Sequence, residues 1–223
     1  MSSFTETIDI LEDELTKIEK VFRGLTEEQW RLPTNLSPLD PNSPHWTLFE
    51  LAGHFDISIG LTRMLIADPQ DGQPGRDRAS FFIFPRSEVA PVVYDYAYQM
   101  VAGKTPADMP DVLQETFAAT IREARATPPE TIGPGYYALM RLDEFVASRI
   151  VEAVVHGIDL TDPLERECIA SADAIDVSAR ILDDLLARKT VAGRPTDLVD
   201  DLAWIRAASG RTEHHDPRLP LIG

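Results

Sequence analysis

Residues 143–160 read DEFVASRIVEAVVHGIDL, and their apolar side chains recur every three or four positions, as on one face of a helix. The apolar positions are Ala147, Ile150, Val151, Val154, Val155 and Ile158. A second stripe on the same helix is polar and consists of Arg149, Glu152, His156 and Asp159. If this stripe faces the interior, four polar groups need partners there, so the helix is predicted to carry chemistry as well as packing.

The same periodicity recurs on both sides of this helix. It predicts further helices at about 4–25, 48–67, 89–100, 108–126, 174–188 and 197–209. Capping boxes at Ser3 and Thr47 predict where the first two begin, Pro91 is placed in a first turn, and Thr196 is expected to cap the last. Loops are predicted at 32–44 and 69–87 and a turn at 133–137, and no sheet is predicted because no two-residue alternation is sustained.

These elements predict an all-α fold, a helical bundle with a short helical C-terminal extension. We expect residues 1–163 to form the bundle and residues 164–223 to form the extension, packed on it. The length of 223 residues and the 43% hydrophobic content suit one domain, or one domain with an appendage. A chain of this size buries roughly 70% of its unfolded surface, so its core needs no covalent staples.

The charge balance excludes several classes of partner. There are 21 basic and 37 acidic residues, a formal net charge of −16, so we expect neither nucleic acid nor an anionic membrane surface to bind. The acidic N-terminus lacks the basic and apolar regions of a signal peptide, and no stretch is long enough to span a bilayer. Cys168 stands alone, which excludes an internal disulfide and a zinc site built on paired cysteines, and the reducing cytoplasm is the expected compartment.

A metal site is the chemistry that the polar stripe allows. Glu152 and His156 are four residues apart on one helix face, so their side chains can share an ion. His54, on the flank of the core stripe of another helix, is the natural third ligand. Two histidines and one carboxylate leave open positions on zinc, as catalytic sites do, and the same set also suits Fe(II).

Simpler interpretations of the same residues remain open. His156 can be a buried histidine with a hydrogen-bond partner, and Glu152 can be that partner within the helix. Arg149 can form a salt bridge to Glu152 or Asp159. Alternatively, Arg149 and Asp159 both support the metal ligands, with Asp159 orienting the ring of His156. The adjacent His214 and His215 are expected to be solvated, although such a pair can also collect metal.

Two motifs resemble a known family. The segment His45–His54, HWTLFELAGH, resembles the Trp-Ser/Thr-x-x-Asp/Glu-Leu-x-x-His signature of the DinB-like metalloprotein superfamily. The segment Arg149–Leu160 is similar to the Arg-x-x-Glu-x-x-x-His-x-x-Asp pattern of the branch typified by mycothiol-dependent maleylpyruvate isomerase. A weaker match links Trp204–Arg211, followed by Leu219-Pro220, to the chain end of many members.

The resemblance implies a four-helix bundle that binds zinc, or Fe(II) or Ni, through His54, Glu152 and His156. It further implies that the metal activates a small-molecule thiol, mycothiol in the isomerase, for attack on an electrophilic substrate. The activity would be that of an S-transferase or an isomerase, and the alternative is a non-catalytic metal-binding bundle that acts by binding a ligand or partner. The isomerase has an α/β C-terminal domain where this chain reads helical, so its substrate contacts do not carry over.

An anionic thiol or acid bound to so acidic a chain needs local positive groups. Arg63, Arg86 and Arg211 are the candidate substrate-binding residues, each with the simpler interpretation of a surface residue. The aromatic patch Phe81–Phe84 either lines the mouth of the site or packs on the bundle. DinB-like proteins often pair, so a homodimer is also considered, although no motif here requires one.

Overall fold

The computed structural model describes residues 3–36 and 45–222, with only the backbone described at position 86. Within these residues there are seven α-helices and one two-stranded sheet. The helices are α1 Phe4–Arg23, α2 Leu48–Ala67, α3 Arg86–Val101, α4 Met109–Ala126, α5 Leu142–Thr161, α6 Ala172–Lys189 and α7 Asp201–Ala208. Short 3₁₀ turns lie at Gln29–Arg31, Ser80–Phe82 and Asp162–Leu164. The predicted all-α fold is confirmed.

Four of the helices form the bundle. α1 packs against α4 and α5, and α2 packs against the same two helices from the other side. α3 lies outside this ring and contacts α2, while α6 packs on α5 and α1, and α7 packs on α6. α5 is buried along most of its length, which explains why its sequence carries so many apolar positions. In the part of the chain described, no helix is both long and apolar enough to cross a bilayer.

The predicted helix starts at Ser3 and Thr47 are confirmed. In each case the cap side chain accepts a backbone N–H of the first turn and a glutamate three residues later returns a bond to the cap, as a capping box requires. α2 therefore begins at Leu48 and runs to Ala67, which fixes the direction of the helix that carries His54. The predicted loop at 32–44 falls largely outside the described residues, since 37–44 are not among them.

Three local predictions are wrong. α3 begins at Arg86, because the carbonyl of Pro85 accepts from Glu88 and Val89, so Pro91 lies in the second turn. α7 begins at Asp201, because the carboxylate of Asp200 accepts from the N–H of Ala203 at 2.8 Å and so caps the helix in place of Thr196.

The third difference is a small antiparallel sheet. Strands β1, Ile132–Pro134, and β2, Leu139–Arg141, pair with Gly133 opposite Met140. Strands of three residues are too short to show a sustained alternation, so the sequence displayed only the turn between them. The sheet packs against α2 and leads directly into α5, so it fixes the start of the helix that carries the polar stripe.

Candidate metal centre and its cavity

Neighbouring helices bring the three predicted ligands together. His54 lies in the second turn of α2, and Glu152 and His156 lie one turn apart on α5. The Nε2 atoms of the two histidines are 3.0 Å apart, and Oε2 of Glu152 is 3.5 Å from each of them. Among the described residues, one other set of three such side chains comes equally close together.

These distances fit a single zinc ion. Ligand atoms about 2.0–2.1 Å from a tetrahedral zinc are separated by roughly 3.3 Å, close to the three separations in this cluster. All three side chains are at least four-fifths buried, with exposed fractions of 9%, 16% and 14% for His54, Glu152 and His156. Two imidazole nitrogens and one carboxylate oxygen that converge in a buried place form a donor set that suits a catalytic zinc site.

Asp159 fixes the ring of His156. Its Oδ2 atom lies 2.8 Å from Nδ1 of His156, which must carry the proton, so the lone pair of Nε2 points toward His54 and Glu152. Asp159 is in turn held by Arg211, whose Nε and Nη2 donate to its two oxygens at 2.9 and 2.6 Å. The orientation of His156 therefore depends on a residue from the end of the chain, 52 positions beyond Asp159.

The two carboxylates of the site are ionised. Burial alone would raise the pKa of Asp159, but the charge and hydrogen bonds of Arg211 and the hydrogen bond to His156 lower it to about 2. Burial would also raise the pKa of Glu152, yet the charge of Arg149 and the contacts with both histidines hold it well below its ordinary value. Glu152 is therefore ready to act as an anionic ligand at neutral pH.

The two histidines differ in how readily they take a proton. Burial lowers the pKa of His54, and the neighbouring His156 lowers it further, so His54 is neutral. For His156 the effect of burial is outweighed by its hydrogen bonds to the carboxylates of Asp159 and Glu152, and its pKa is raised. Protons and a metal ion therefore compete mainly for His156.

Trp46 covers the other side of His54, and the sequence motif gave it only a helix-entry role. Its ring centroid is 5.2 Å from that of His54, and Tyr94 of α3 stacks on Trp46 at 5.9 Å. Nδ1 of His54 and Nε1 of Trp46 are buried and have no hydrogen-bond partner among the residues described. The contact between α3 and Trp46 joins residues 48 positions apart, so no local signal could have predicted it.

A cavity of about 550 Å³ borders the cluster, a size typical of small-molecule sites. His54, Glu152 and His156 all line it, and the rest of its wall is mainly apolar. The aromatic patch Phe81–Phe84 contributes Phe81, Phe82 and Phe84 to the wall, and Phe81 and Phe82 are also buried in the core. The patch therefore both lines the cavity and packs in the core.

Arg149 forms neither of the salt bridges considered for it. Its Nη1 donates to the carbonyl of Ser58, and its Nε and Nη2 donate to Oγ of Ser148. The guanidinium carbon lies 4.4 Å from the ring centroid of Phe81 and 4.6 Å from that of Phe145. Arg149 also lines the cavity, so it is a buried cation beside the predicted metal ligands.

The three arginines predicted to bind substrate lie in different places. Arg211 lines the cavity, but its charge is matched by Asp159. Arg63 is not among the cavity-lining residues and pairs with Glu123 of α4, with Nε 3.0 Å from Oε1. The side chain of Arg86 lies outside what the structure describes.

The second cluster of metal-binding groups is the pair His214 and His215 together with Asp197. Nε2 of His214 lies 3.1 Å from Oδ2 of Asp197, and its Nδ1 accepts from the backbone of Asp216. His214 therefore carries its proton on Nε2 and donates it to Asp197. These residues do not line the cavity.

Among known proteins, one family resembles this chain. The sequence matches the family model of the mycothiol maleylpyruvate isomerase N-terminal domain over residues 11–161, which include all three converging ligands. Searches of the curated proteins and of the solved structures returned no match. Because the match extends over more than half of the 223 residues, from α1 to the end of α5, the chain belongs to the family of the mycothiol maleylpyruvate isomerase N-terminal domain.

Proposed function

We propose that the protein is a metal-dependent enzyme that activates a small-molecule thiol for attack on an electrophilic substrate, as an S-transferase or an isomerase. The observation that carries the proposal is the convergence of His54, Glu152 and His156 at the wall of a 550 Å³ cavity. A metal site that opens into a cavity has room for a substrate, whereas a structural site is closed by four protein ligands.

His54, Glu152 and His156 would hold the cation, and zinc is the metal that we propose. Fe(II) and Ni remain alternatives, because two imidazoles and one carboxylate also suit them. When bound there, the cation would lower the pKa of a thiol and so favour the nucleophilic thiolate. Mycothiol is the proposed cosubstrate, since the family is named for an isomerase that uses it.

The other residues position these ligands and shield the reaction. Asp159 keeps the proton of His156 on Nδ1, and Arg211 keeps Asp159 ionised. The apolar walls exclude water from the reacting sulfur, which strengthens every charge interaction at the site. In a transfer, the sulfur bonds to the electrophilic carbon, the leaving group departs with its electron pair, and the thiol proton leaves to solvent. In an isomerisation the sulfur adds and is later expelled, so the thiol is regenerated.

The alternative of a non-catalytic bundle has less support. It would gain weight if Arg149 or Asp159 closed the coordination shell from the protein side. Arg149 instead donates to Ser58 and Ser148, and Asp159 contacts Nδ1 of His156, the nitrogen that faces away from the cluster. Neither side chain is paired with the three ligand atoms that converge.

The experiment that tests the proposal begins with metal content by plasma mass spectrometry. We expect about one zinc per chain in the wild type, loss of that zinc in His156→Ala, and retention in the control His214→Ala. The metal-loaded protein is then mixed with mycothiol and an activated aryl chloride. Thioether formation above the uncatalysed rate in the wild type, absent in His156→Ala, supports the proposal. No metal in the wild type, or equal rates in both proteins, would refute it.

A further inference from the structure

We propose that Arg149 is an anion-binding residue of the cavity and that the cavity selects a molecule with an apolar body and one carboxylate. The inference deepens the proposed function, on which it rests for identifying this molecule as the electrophilic substrate. Its structural basis is independent of the metal: a guanidinium that is 1% exposed, lines an apolar cavity and has no carboxylate partner among the described residues.

The hydrogen bonds of Arg149 leave part of its donor capacity unused. A guanidinium has five N–H groups, and three are engaged, one on each nitrogen. One N–H on Nη1 and one on Nη2 therefore have no acceptor in the part of the chain described. The acceptors it does use, a carbonyl and a hydroxyl, are neutral, so the positive charge itself is not matched by contact with an anion.

Three other buried or half-buried arginines differ from Arg149 because each contacts a carboxylate. Arg78, Arg206 and Arg211 each donate two side-chain hydrogen bonds to one carboxylate, on Glu144, Asp162 and Asp159 respectively. A buried charge without a partner is costly, and here burial lowers the pKa of Arg149, with only the charge of Glu152 opposing that effect. Arg149 is thus buried more deeply than these three arginines and, unlike them, contacts no carboxylate among the described residues, so a ligand carboxylate would meet its need.

The surroundings hold the guanidinium rigidly. Phe81 and Phe145 lie within 4.4 and 4.6 Å of its carbon, so aromatic rings pack against it. Ser58 and Ser148 fix the planar group from α2 and α5. Because the side chain is already ordered, binding an anion does not require the entropy of a long arginine side chain to be lost again.

The wall of the cavity sets the chemistry of the rest of the molecule. The wall includes Phe81, Phe82, Val89 and Val93, whose side chains offer no hydrogen-bond partner. The two unused N–H groups of Arg149 suit one carboxylate. An aromatic or branched apolar body carrying one carboxylate would fill the wall and place its charge on Arg149.

The charge balance of the site supports the same conclusion. Asp159 is neutralised by Arg211, so it does not compete for Arg149. Glu152 is the carboxylate whose charge acts on Arg149, and its charge would be shared with any cation held by the cluster. A loaded site would therefore be net positive at this end of the cavity.

The test compares 1-naphthoate with its neutral analogue 1-naphthamide by calorimetry on the purified protein, with metal content measured on the same samples. We expect the wild type to prefer the naphthoate by about tenfold or more. Arg149→Met, which keeps an unbranched side chain between the two phenylalanines, should bind both probes about equally. Arg63→Met, outside the cavity, should keep the wild-type preference.

Each other outcome contradicts the proposal in a defined way. A preference that survives in Arg149→Met but disappears in His156→Ala would mean that the anion binds the metal ion. A wild type that binds both probes equally, or neither, would refute the substrate class. Unchanged naphthamide binding shows that Arg149→Met is folded, and Arg149→Lys, which should retain only part of the preference, serves if it is not. Since no thiol or turnover is involved, failure of the proposed function leaves this result interpretable.

Discussion

The chain of contacts from His156 through Asp159 to Arg211 shows how single residues define the site. The spacing of Arg149, Glu152, His156 and Asp159 already predicted a shared helix face. It did not predict that Arg211 would bind Asp159, because that contact joins residues far apart in the sequence. It also did not predict the partners of Arg149. Glu152 and Asp159 were the partners considered, whereas the guanidinium donates to Ser58 of α2 and to the adjacent Ser148.

Asp159→Asn should weaken metal binding by roughly 10- to 100-fold, because an outer carboxylate that orients a ligating histidine contributes that much affinity. The amide is neutral and would also leave Arg211 without a counter-charge. Competition with a chelating dye at neutral pH measures the affinity. The control is Asp162→Asn, which breaks the comparable pair with Arg206 without touching a ligand. Equal affinity in the two variants would show that Asp159 does not position His156.

At the scale of elements, the close approach of α2 and α3 depends on Gly53. A Cβ built at Gly53 would lie 2.5 Å from the carbonyl oxygen of Ala97 and 2.9 Å from Cγ1 of Val101. On the same helix, a Cβ at Gly60 would make an ordinary contact, 3.6 Å from Thr116. In the sequence, Gly53 and Gly60 are simply two glycines of one helix. The structure shows that the packing requires glycine at position 53, whereas a Cβ would fit at position 60.

Gly53→Ala should therefore destabilise the protein by about 1–3 kcal/mol, since α3 must move away from α2. Gly60→Ala should stabilise it by about 0.5–1 kcal/mol, because alanine favours the helix and meets no backbone. Urea unfolding of both variants beside the wild type measures the difference. A Gly53→Ala protein as stable as Gly60→Ala would mean that the two helices do not pack this closely.

The segment before α3 is held by Asp77. Its Oδ1 accepts from the N–H and hydroxyl of Ser80, and its Oδ2 lies 2.6 Å from Arg188 of α6. Burial alone would raise the pKa of Asp77, but the bonds from Ser80 and Arg188 outweigh it and lower the pKa below 3.8. A lowered carboxyl pKa stabilises the folded state above the unfolded pKa, and this stabilisation is lost as the pH falls through the folded one.

Asp77→Asn should reduce the free energy of unfolding at pH 7 by a few tenths to about 1 kcal/mol, a modest loss because the pair is partly solvated. The difference from the wild type should be constant from pH 7 to pH 5 and should shrink below about pH 4. Thermal unfolding at several pH values measures it, with exposed Asp71→Asn of the same loop as the control. A difference that grows as the pH falls would contradict the assigned pKa direction.

An element can be predicted from the sequence when the residues that determine it lie close together in the chain. α1, α2 and α5 follow from periodicity, and capping boxes mark the starts of α1 and α2; both signals involve residues three or four apart, and the bounds agree closely. The hairpin was missed because three-residue strands carry no pattern, and the start of α7 because Thr196 and Asp200 are both good caps. The cavity was not predicted because its wall joins α2, α3, α5 and the segment around Phe81.

At the scale of the whole molecule, two groups of side chains in the described residues could hold a divalent cation. One joins α2 to α5 in the interior, and the other joins Asp197 to the two adjacent histidines near the chain end. The interior group orders no new backbone, because both helices are already packed together in the bundle. We therefore expect it to have the higher affinity, as a preorganised site should.

Zinc at about 100 times its dissociation constant should stabilise the fold by about 2.7 kcal/mol. For a chain of this length that corresponds to a rise in Tm of roughly 5–10 °C. Differential scanning fluorimetry with and without zinc measures the shift. We expect it in the wild type and in His214→Ala but not in His156→Ala. The reverse pattern in the two variants would assign the ion to the chain-end cluster.

The contact between Trp46 and His54 also has an optical consequence. Indole emission is sensitive to the charge and protonation of a ring stacked close to it, and Trp46 lies 5.2 Å from the imidazole of His54. The other two tryptophans have different neighbours, since Trp30 packs on Phe22 and Trp204 lies beside Arg194. Trp46 is thus an intrinsic fluorophore beside the candidate metal site, and we expect metal binding there to change its emission without any added dye.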